Sequence, residues 1–301
     1  MKMLKGLDVW TTKVIVGSGH HLTNFKVEKP IFTLDGGRLR WRRLHPFTFA
    51  DPFLITDSRK LWLFAEQQRH HEHGKIVAFS TEDLQTWISH GVVLEESSHL
   101  SYPQVFESDG SYWMLPEGIK SGKVTLYQAA ELPGPWRRAA ELLPSAYADP
   151  TIFQHQGVWY LWATDLGNQL RLYCANQLQG PYREHPCSPV TSDLRYMRCG
   201  GRVQCLPDGS LVRLAQDSSE GYGKYLHAMA ITQLTPEAYQ EELKNADILL
   251  RDENWNREGG HHLDGLQFKG KGIVAVDGRV SESNWNAPAR IFWGLCRRFF
   301  G

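Results

Sequence analysis

A unit of about fifty residues recurs along this 301-residue chain, and the repeat restricts the possible folds more than any other feature of the sequence. Each unit holds two apolar runs joined by a short turn, as at residues 50–55 and 60–66. The second run of each unit ends on an acid, at intervals of 51, 48 and 52 residues: Glu66, Glu117, Asp165 and Asp217. A period of this length built from short strands is typical of a β-propeller, in which each repeat forms one antiparallel blade.

Each unit also carries a third apolar run, followed by an aromatic residue where a fourth strand should begin. These aromatic residues are Trp87, Trp136, Tyr182 and Tyr239. We therefore predict an all-β protein, a five-bladed β-propeller that occupies residues 1–287 as a single domain. The alternatives are a two-sheet sandwich, and a six-bladed ring in which residues 1–45 form a blade of their own.

The two ends of the chain complement each other in strand content. The last repeat, near residues 261–280, has too few strand signals for a blade, whereas residues 9–17 form a strand signal outside the repeat. We expect the N-terminal strands to complete the last blade, because closure of the ring removes unpaired strand edges. Helix signals are few, and the sequence at 236–244 predicts about two helical turns.

Charge and cysteine content exclude several classes of protein. Lys plus Arg and Asp plus Glu both number 33, so no basic field indicates a nucleic-acid partner. The five cysteines show no C-x-x-C spacing, which disfavours a zinc site and a disulfide framework. We expect no metal and no cofactor, and treat the imidazole-rich stretch at 69–73 as a polar loop. The first residues lack the apolar run of a signal peptide, so a cytoplasmic location is expected.

The innermost strands of a propeller converge on its axis, so the residues that open these strands should form a ring. The ring comprises Asp51, Tyr102, Asp149, Arg202, His261 and His262. Charged groups are costly to bury unless paired, so acids and bases around one small cavity indicate a ligand site. The alternative is that Asp51 and Asp149 only start turns, as Asp-Pro sequences often do.

Paired carboxylates beside aromatic residues are suited to making or splitting a glycosidic bond. We predict Asp51 and Asp149 as the central catalytic carboxylates and Glu117 as a further acid or base. Tyr102 is a candidate sugar-stacking face. Asp165 and Asp217 are candidate substrate contacts, although the repeated acids could instead hydrogen-bond neighbouring loop backbones.

An arginine in the ring adds a candidate anion contact. Arg202, with Arg198 and Arg195 close by in sequence, could hold a phosphate or carboxylate, with His261 or His262 as further contacts. The alternative is a structural ion pair between Arg202 and either Asp149 or Asp51.

Several motifs occur in an order that resembles one known family. They are Ala-Asp-Pro-Phe at 50–53, His-Leu-Ser-Tyr-Pro at 99–103, Leu-Pro-Glu at 115–117, Gly-Pro-Trp at 134–136, Asp-Pro-Thr-Ile-Phe at 149–153 and Ala-Gln-Asp at 215–217. This set, within about residues 45–280, resembles the N-terminal domain family of the glucosamine inositolphosphorylceramide transferases. The resemblance implies a five-bladed propeller of the kind found in bacterial polysaccharide-building pathways.

More distantly, the architecture is similar to the glycoside hydrolase propellers that cleave arabinan and xylan. That similarity implies catalytic acids on the first and third blades, where Asp51 and Asp149 stand. The third acid of those hydrolases, a Glu on the fourth blade, would fall near Arg202. This chain has a base there, and the departure disfavours plain hydrolysis.

The leading hypothesis is a carbohydrate-active enzyme, glycosyltransferase-like, that forms or remodels a glycosidic bond in the axial pocket. Its partners would be a glycan, a nucleotide-sugar or a lipid-linked sugar. The alternatives are a non-catalytic glycan-binding propeller that assists a separate transferase, a glycoside hydrolase, and a protein–protein scaffold. The amphipathic tail at 288–301 mixes basic and aromatic residues, and its residues 289–300 could contact the inner membrane face or pack as a terminal helix.

Overall fold

The computed structural model describes residues 7–17, 30–35, 47–69, 72–249 and 255–282. The chain is all-β and forms a five-bladed β-propeller, as the repeat predicts. The predicted tail at 288–301 lies outside the described residues. The helix that the structure describes is a single 3₁₀ turn, Ile119–Ser121. No helix in the described part of the chain has the length and apolar character needed to cross a bilayer.

Each blade is an antiparallel sheet whose first strand lies innermost. The strands in chain order begin with β1 (Leu7–Gly17) and β2 (Phe32–Leu34). Blade one is β3 (Phe47–Thr56), β4 (Leu61–Arg69), β5 (Lys75–Thr81) and β6 (Ile88–Leu94). Blade two is β7 (Ser101–Ser108), β8 (Ser111–Glu117), β9 (Val124–Ala129) and β10 (Arg137–Leu143). Blade three is β11 (Tyr147–His155), β12 (Val158–Asp165), β13 (Leu170–Ala175) and β14 (Arg183–Glu184).

Blade four has a divided inner strand. It comprises β15 (Arg198–Cys199) and β16 (Gln204–Cys205), which both pair with β17 (Leu211–Asp217), then β18 (Tyr225–Leu234) and β19 (Tyr239–Asn245). The helix predicted over 236–244 is wrong. Its Glu, Leu and Lys residues suit a helix, but β19 pairs with β18 along seven residues, and this tertiary pairing outweighs local propensity.

The fifth blade confirms the predicted closure. Its strands are β20 (Leu263–Phe268) and β21 (Lys271–Glu282), and the N-terminal β1 pairs with β21 from Leu7↔Glu282 to Gly17↔Gly272. The outermost strand of this sheet is β2, so the order is β2-β1-β21-β20. The two ends of the chain are thus held together by one long antiparallel ladder, which leaves no blade incomplete.

Large apolar side chains fill the space between blades. The largest cluster of buried residues includes Phe53, Phe64, Tyr160 and Trp162, which belong to blades one and three. The aromatic residues that mark the fourth strands also lie against this interior, as Trp136 packs edge-on to Phe64 at 5.9 Å between ring centroids. Sheet-on-sheet packing of this kind holds the inner strands close around the axis.

Candidate active site

The inner strands of blades one, two and three open with the same irregularity. Asp51, Tyr102 and Asp149 have positive φ angles of 51°, 48° and 45°, and each stands directly before a proline. Each also lies where the pairing register of its hairpin shifts, as a β-bulge does. A positive φ is uncommon outside glycine, above all for a bulky residue such as tyrosine, and such strain clusters at functional sites. We refer to the axial region at these three positions as the hub.

Arg198 joins two of the hub carboxylates. Its Nε donates a hydrogen bond to Asp149 Oδ2, and its Nη2 donates to Glu117 Oε2 at 3.4 Å. The backbone N–H of Asp149 also donates to Glu117 Oε2, at 3.0 Å, and Gln216 Nε2 donates to Asp149 Oδ2 at 2.6 Å. Both acids are at least 95 % buried, so the arginine supplies the charge that burial would otherwise leave unpaired.

The three predicted catalytic acids differ in protonation. Burial alone would raise the pKa of Asp149, but the Arg198 guanidinium holds it below its ordinary value. Burial, reinforced by the negative charge of Asp149, raises the pKa of Glu117 to about 8 against the opposing pull of Arg198. Burial likewise raises the pKa of Asp51 to about 7, with His261 opposing and Asp149 reinforcing the shift. One carboxylate is thus ionised at neutral pH beside two groups that titrate near neutrality, an arrangement suited to acid and base roles.

Asp277, on β21 of blade five, binds backbone N–H groups at the hub. Its Oδ1 accepts the backbone N–H groups of His261 and His262 at 2.9 and 3.0 Å, and its Oδ2 accepts the N–H of Asp51 at 3.2 Å. The His261 Nδ1 atom lies 2.7 Å from the same Oδ2. Burial alone would lower the pKa of the His261 imidazole, but Asp277 and the other hub acids raise it above its ordinary value. The neighbouring acids therefore favour the protonated form of His261.

Aromatic rings line the hub next to His261. Trp10 on β1 stacks on the imidazole with ring centroids 4.1 Å apart, and Tyr222 meets the same imidazole edge-on at 5.3 Å. Tyr222 also lies against the Arg198 guanidinium, 5.3 Å from its ring centroid, and remains 46 % exposed. Tyr222 thus offers an aromatic face at the mouth of the hub, the amphipathic surface on which a sugar can stack.

The donor atoms of Asp51, His261 and Asp277 lie within 4.8 Å of one another, close enough to hold a small cation. Both oxygens of Asp277 already accept backbone N–H groups, and His261 Nδ1 lies 2.7 Å from Asp277 Oδ2. These contacts account for the close approach of the three groups.

The structure brings most of the predicted ring together, but it buries Tyr102 and His262 completely. Tyr102 is fully buried, its hydroxyl contacts Thr151 Oγ1 at 2.8 Å and accepts the N–H of Gly201 at 2.7 Å. Its ring presents no face to a sugar, so the stacking prediction is wrong for Tyr102. His262 is also fully buried, with its Nδ1 3.9 Å from Asp51 Oδ1, and burial lowers its pKa to about 4.

The structural alternative predicted an ion pair between Arg202 and either Asp149 or Asp51. The structure contradicts it, because the partner of Arg202 is Asp264. Its guanidinium forms a bidentate pair with Asp264, with Nε–Oδ1 and Nη2–Oδ2 distances of 2.5 and 2.7 Å, and Nη2 also donates to the Leu54 carbonyl at 2.6 Å. Its donors are thus engaged between blades, and Arg198 is the arginine beside the hub acids. The sequence pattern indicated Arg198 only as a neighbour of Arg202.

Two of the repeated acids turn away from the axis. Asp165 binds Arg171 Nε at 2.8 Å, and Asp217 contacts His227 Nε2 at 3.0 Å and accepts the Ser219 hydroxyl. All of these partners lie in the same blade as the acid that they bind. Their predicted contacts with substrate stay predictions.

Sequence reasoning missed Asp277, Trp10 and Tyr222. A signal for Asp277 was present, because it directly follows the apolar run at 273–276 of the fifth repeat, 60 residues after Asp217, and so extends the acid series. Trp10 gave no such signal, since it reaches the hub only through the closure of blade five by β1.

The family model described as "Glucosamine inositolphosphorylceramide transferase 1, N-terminal" matches residues 22–279. The chain belongs to this family. Proteins named glucosamine inositolphosphorylceramide transferase 1 from Oryza sativa subsp. japonica and Arabidopsis thaliana are each 34 % identical to it, over 247 and 244 residues. These alignments cover 77 % and 76 % of this chain, but only 33 % and 32 % of the relatives. This member of the glucosamine inositolphosphorylceramide transferase 1 N-terminal family thus spans about a third of the curated relatives it matches.

Solved structures show the same fold at low sequence identity. A family 117 glycoside hydrolase from Zobellia galactanivorans has a TM-score of 0.52 and 15 % identity, covering 91 % of this chain and 90 % of its own. An α-L-arabinofuranosidase from Clostridium thermocellum has a TM-score of 0.57 and 16 % identity, covering 75 % and 81 %. At these identities the likeness establishes that the family shares the five-bladed fold, and nothing about activity.

Proposed function

We propose that this domain is a carbohydrate-active enzyme that forms or remodels a glycosidic bond in the hub, glycosyltransferase-like in its outcome. The single observation that supports it is the set of three buried carboxyl groups, Asp51, Glu117 and Asp149, whose pKa values are shifted in different directions and two of which bind Arg198. A group that stays ionised beside groups protonated near neutral pH is the equipment for general acid and base catalysis on an acetal.

In this proposal Asp149 stabilises the positive charge that develops on the sugar, because Arg198 and Gln216 keep it ionised and oriented. Asp51, whose pKa burial raises to about 7, takes the proton of the attacking hydroxyl when it is ionised. Glu117 holds the backbone of Asp149 in place and adds a second titratable carboxyl. Tyr222, which is 46 % exposed, offers the face on which the sugar stacks, and the buried pair of Trp10 and His261 supports it.

The name of the relatives narrows the substrate class. We propose a glucosaminyl group as the sugar and a glycan, nucleotide-sugar or lipid-linked sugar as its carrier. The location that we propose is the cytoplasm, at the inner membrane face, with contact through residues 289–300. Flotation of the chain with vesicles that contain inositolphosphorylceramide tests this location, and a truncation after residue 287 that still floats equally well would contradict the contact.

Replacement of Asp51 or Asp149 by Asn tests the proposed chemistry. Both variants should lose at least about 100-fold in turnover of glucosaminides while they retain glucosaminide binding, since a general acid or base contributes about 10²–10⁴ in rate. Arg195→Gln, at an exposed arginine that pairs with Asp193 outside the hub, is the control. Unchanged turnover in both Asp variants would overturn the enzyme assignment.

A second candidate is a non-catalytic glycan-binding propeller that presents an acceptor to a separate transferase. One observation favours it: two thirds of the length of the curated relatives lies outside the region that this chain matches. If the binding role is correct, the chain binds glucosaminides without turnover, and Asp51→Asn lowers binding rather than rate.

A further inference from the structure

The acids that end the second strands perform a shared structural task in two blades. Glu117 of blade two accepts the backbone N–H of Asp149, which opens the inner strand of blade three. Asp277 of blade five accepts the N–H of Asp51, which opens the inner strand of blade one. Each acid therefore clamps the strained residue of the next blade, as expected for acids that hydrogen-bond neighbouring backbones.

Glu66 of blade one occupies the equivalent position but does not perform this task. By the same pattern it would accept the N–H of Tyr102, the strained residue of blade two. That N–H instead donates to Asp51 Oδ2, at 3.3 Å. Among the described residues no backbone N–H donates to the Glu66 carboxyl, although Glu66 is 7 % exposed and its strand position pairs with Ala50, the neighbour of Asp51.

One polar side chain contacts the Glu66 carboxyl among the described residues. His99 Nε2 lies 3.4 Å from Glu66 Oε1. The other ring nitrogen of His99, Nδ1, lies 3.0 Å from the backbone nitrogen of Gly74. An N–H group can only donate, so Nδ1 must be the acceptor, and the neutral imidazole carries its proton on Nε2. The loop backbone thereby fixes the tautomer whose Nε2–H group lies next to Glu66 Oε1.

The loop that holds His99 fits closely around the acid. A Cβ atom at Gly74 would lie 2.6 Å from Glu66 Oε1, 2.7 Å from His99 Cε1 and 2.5 Å from the Leu100 carbonyl oxygen. Only glycine fits at that approach, and the N–H of Leu100 donates to the Gly74 carbonyl at 3.0 Å. The carboxyl and the imidazole are therefore held in one orientation, with Glu66 Oε2 left outside the contact.

The electrostatic surroundings favour the protonated form of Glu66. Burial raises its pKa well above the ordinary value, and the hub acids Asp51, Glu117, Asp149 and Asp277 all raise it further. The neutral form of His99 is favoured, because burial lowers its pKa and Lys120 and His73 lower it further. Both shifts favour a neutral carboxylic acid beside a neutral imidazole.

We propose that Glu66 is the proton donor of the hub and that His99 is the positioning residue that orients it. This inference rests on the proposed function. In the step, the glycosidic C–O bond breaks and its electron pair goes to the leaving oxygen, which takes the proton from Glu66 Oε2. A hydroxyl of the acceptor or of water bonds to the anomeric carbon and gives its proton to Asp51. Asp51 then releases its proton to solvent and solvent returns a proton to Glu66, so atoms and charges balance over the cycle.

Leaving-group dependence separates a proton donor from a structural acid. A 2,4-dinitrophenoxide leaves without protonation, whereas an alkoxide does not. We expect Glu66→Gln to lower kcat/KM for methyl glucosaminide by about 10²–10⁴, and for 2,4-dinitrophenyl glucosaminide by less than about 10-fold. Glu141→Gln, at an exposed glutamate paired with Lys123, is the matched control and should leave both values unchanged.

The outcomes distinguish the two proposals. If the wild-type chain turns over neither anomer of either glucosaminide, the proposed function fails and the donor assignment fails with it. If the wild type is active and Glu66→Gln slows both substrates equally, or neither, only the donor assignment is overturned. An infrared difference spectrum at neutral pH provides a readout without turnover. The wild type should show a protonated carboxyl band that Glu66→Gln removes. If no band differs between the two chains, the donor assignment is overturned.

His99 requires a readout that mere destabilisation would not change. Its Nε2–H group stabilises the ionised form of Glu66, so His99→Ala should move the alkaline limb of kcat/KM upward by about one pH unit. His99→Gln, whose side-chain amide can still donate, should return the limb toward its wild-type position. A limb that stays in place in His99→Ala would overturn the positioning role.

Discussion

The hub is acidic on one side only. The second-strand acids of blades five, one and two, which are Asp277, Glu66 and Glu117, are buried around Asp51 and Asp149. The equivalent acids of blades three and four, Asp165 and Asp217, bind partners within their own blades. The difference arises from the adjacent strand, which supplies Arg171 on β13 and His227 on β18. One repeated residue type therefore serves two purposes: in blades two and five it accepts a backbone N–H of the next blade, and in blades three and four it contacts a side chain on the adjacent strand of its own blade.

Replacement of Arg198 should give the largest change in the free energy of unfolding among the tests of the two sides of the hub. Arg198→Met removes the guanidinium that joins Asp149 to Glu117 and leaves the buried charge of Asp149 uncompensated. We expect a loss of about 3–5 kcal/mol in the free energy of unfolding, measured by denaturant titration. Arg195→Met, at a side chain 53 % exposed, is the control and should cost less than about 1 kcal/mol. Similar losses in both variants would contradict the distinction.

Asp277→Asn tests the clamp on the acidic side. Asp277 accepts three backbone N–H groups, and an amide that presents its NH₂ to any of them leaves a buried donor unpaired. The expected loss in the free energy of unfolding is about 1–3 kcal/mol. A variant as stable as the wild type would show that the clamp does not hold blades five and one together.

Stability should depend on pH through Glu117. Its folded pKa, about 8, lies above the ordinary 4.5, so its stabilising contribution is full below about pH 4.5 and is lost as pH rises through about 8. Relative to Glu117→Gln, the wild type should lose up to about 1.4 kcal/mol per pH unit within this window. Chemical unfolding of both chains at several pH values measures this slope.

Asp165→Asn tests the other side of the hub, where the pKa shift has the opposite direction. Its expected change in the free energy of unfolding is the smallest of the four. Burial alone would raise the pKa of Asp165, but Arg171 holds it below its ordinary value. The contribution of Asp165 is therefore lost only as pH falls below the usual range of a carboxylate. Across pH 5–8 the difference between Asp165→Asn and the wild type should stay flat and below about 1 kcal/mol. A slope like that of Glu117→Gln would remove the distinction between the two sides of the hub.

The blade pattern could be predicted because each blade is specified by local sequence. Alternating apolar residues, Asp-Gly or Gln-Gly turns and the aromatic residues at Trp87 and Trp136 lie within one repeat and predict one sheet. Closure by the N-terminal strands also followed, because a blade short of strands needs partners and β1 was spare. The segment at 236–244 was wrong because its strand character comes from pairing with β18, which local composition does not encode.

The role of each arginine could not be predicted, because two glycines between them decide it. At Gly201 a Cβ atom would lie 2.0 Å from the Leu263 carbonyl oxygen, and the N–H of Leu263 donates to the Gly200 carbonyl at 2.9 Å. The chain therefore passes tightly against blade five, so that Arg198 lies beside the hub acids and Arg202 pairs with Asp264.

The sequence by itself determined the number of blades, the closure of the ring and the acids at the axis, because these features repeat and depend on short-range patterns. The tertiary structure alone decided which acids have a raised pKa and which a lowered one, and which arginine they contact. It also decided that, among the described residues, no backbone N–H donates to Glu66. Those outcomes depend on contacts between residues far apart in the chain, such as Asp51 with Asp277 and Glu66 with His99. Burial and charge at the hub are properties of that assembly rather than of any one repeat.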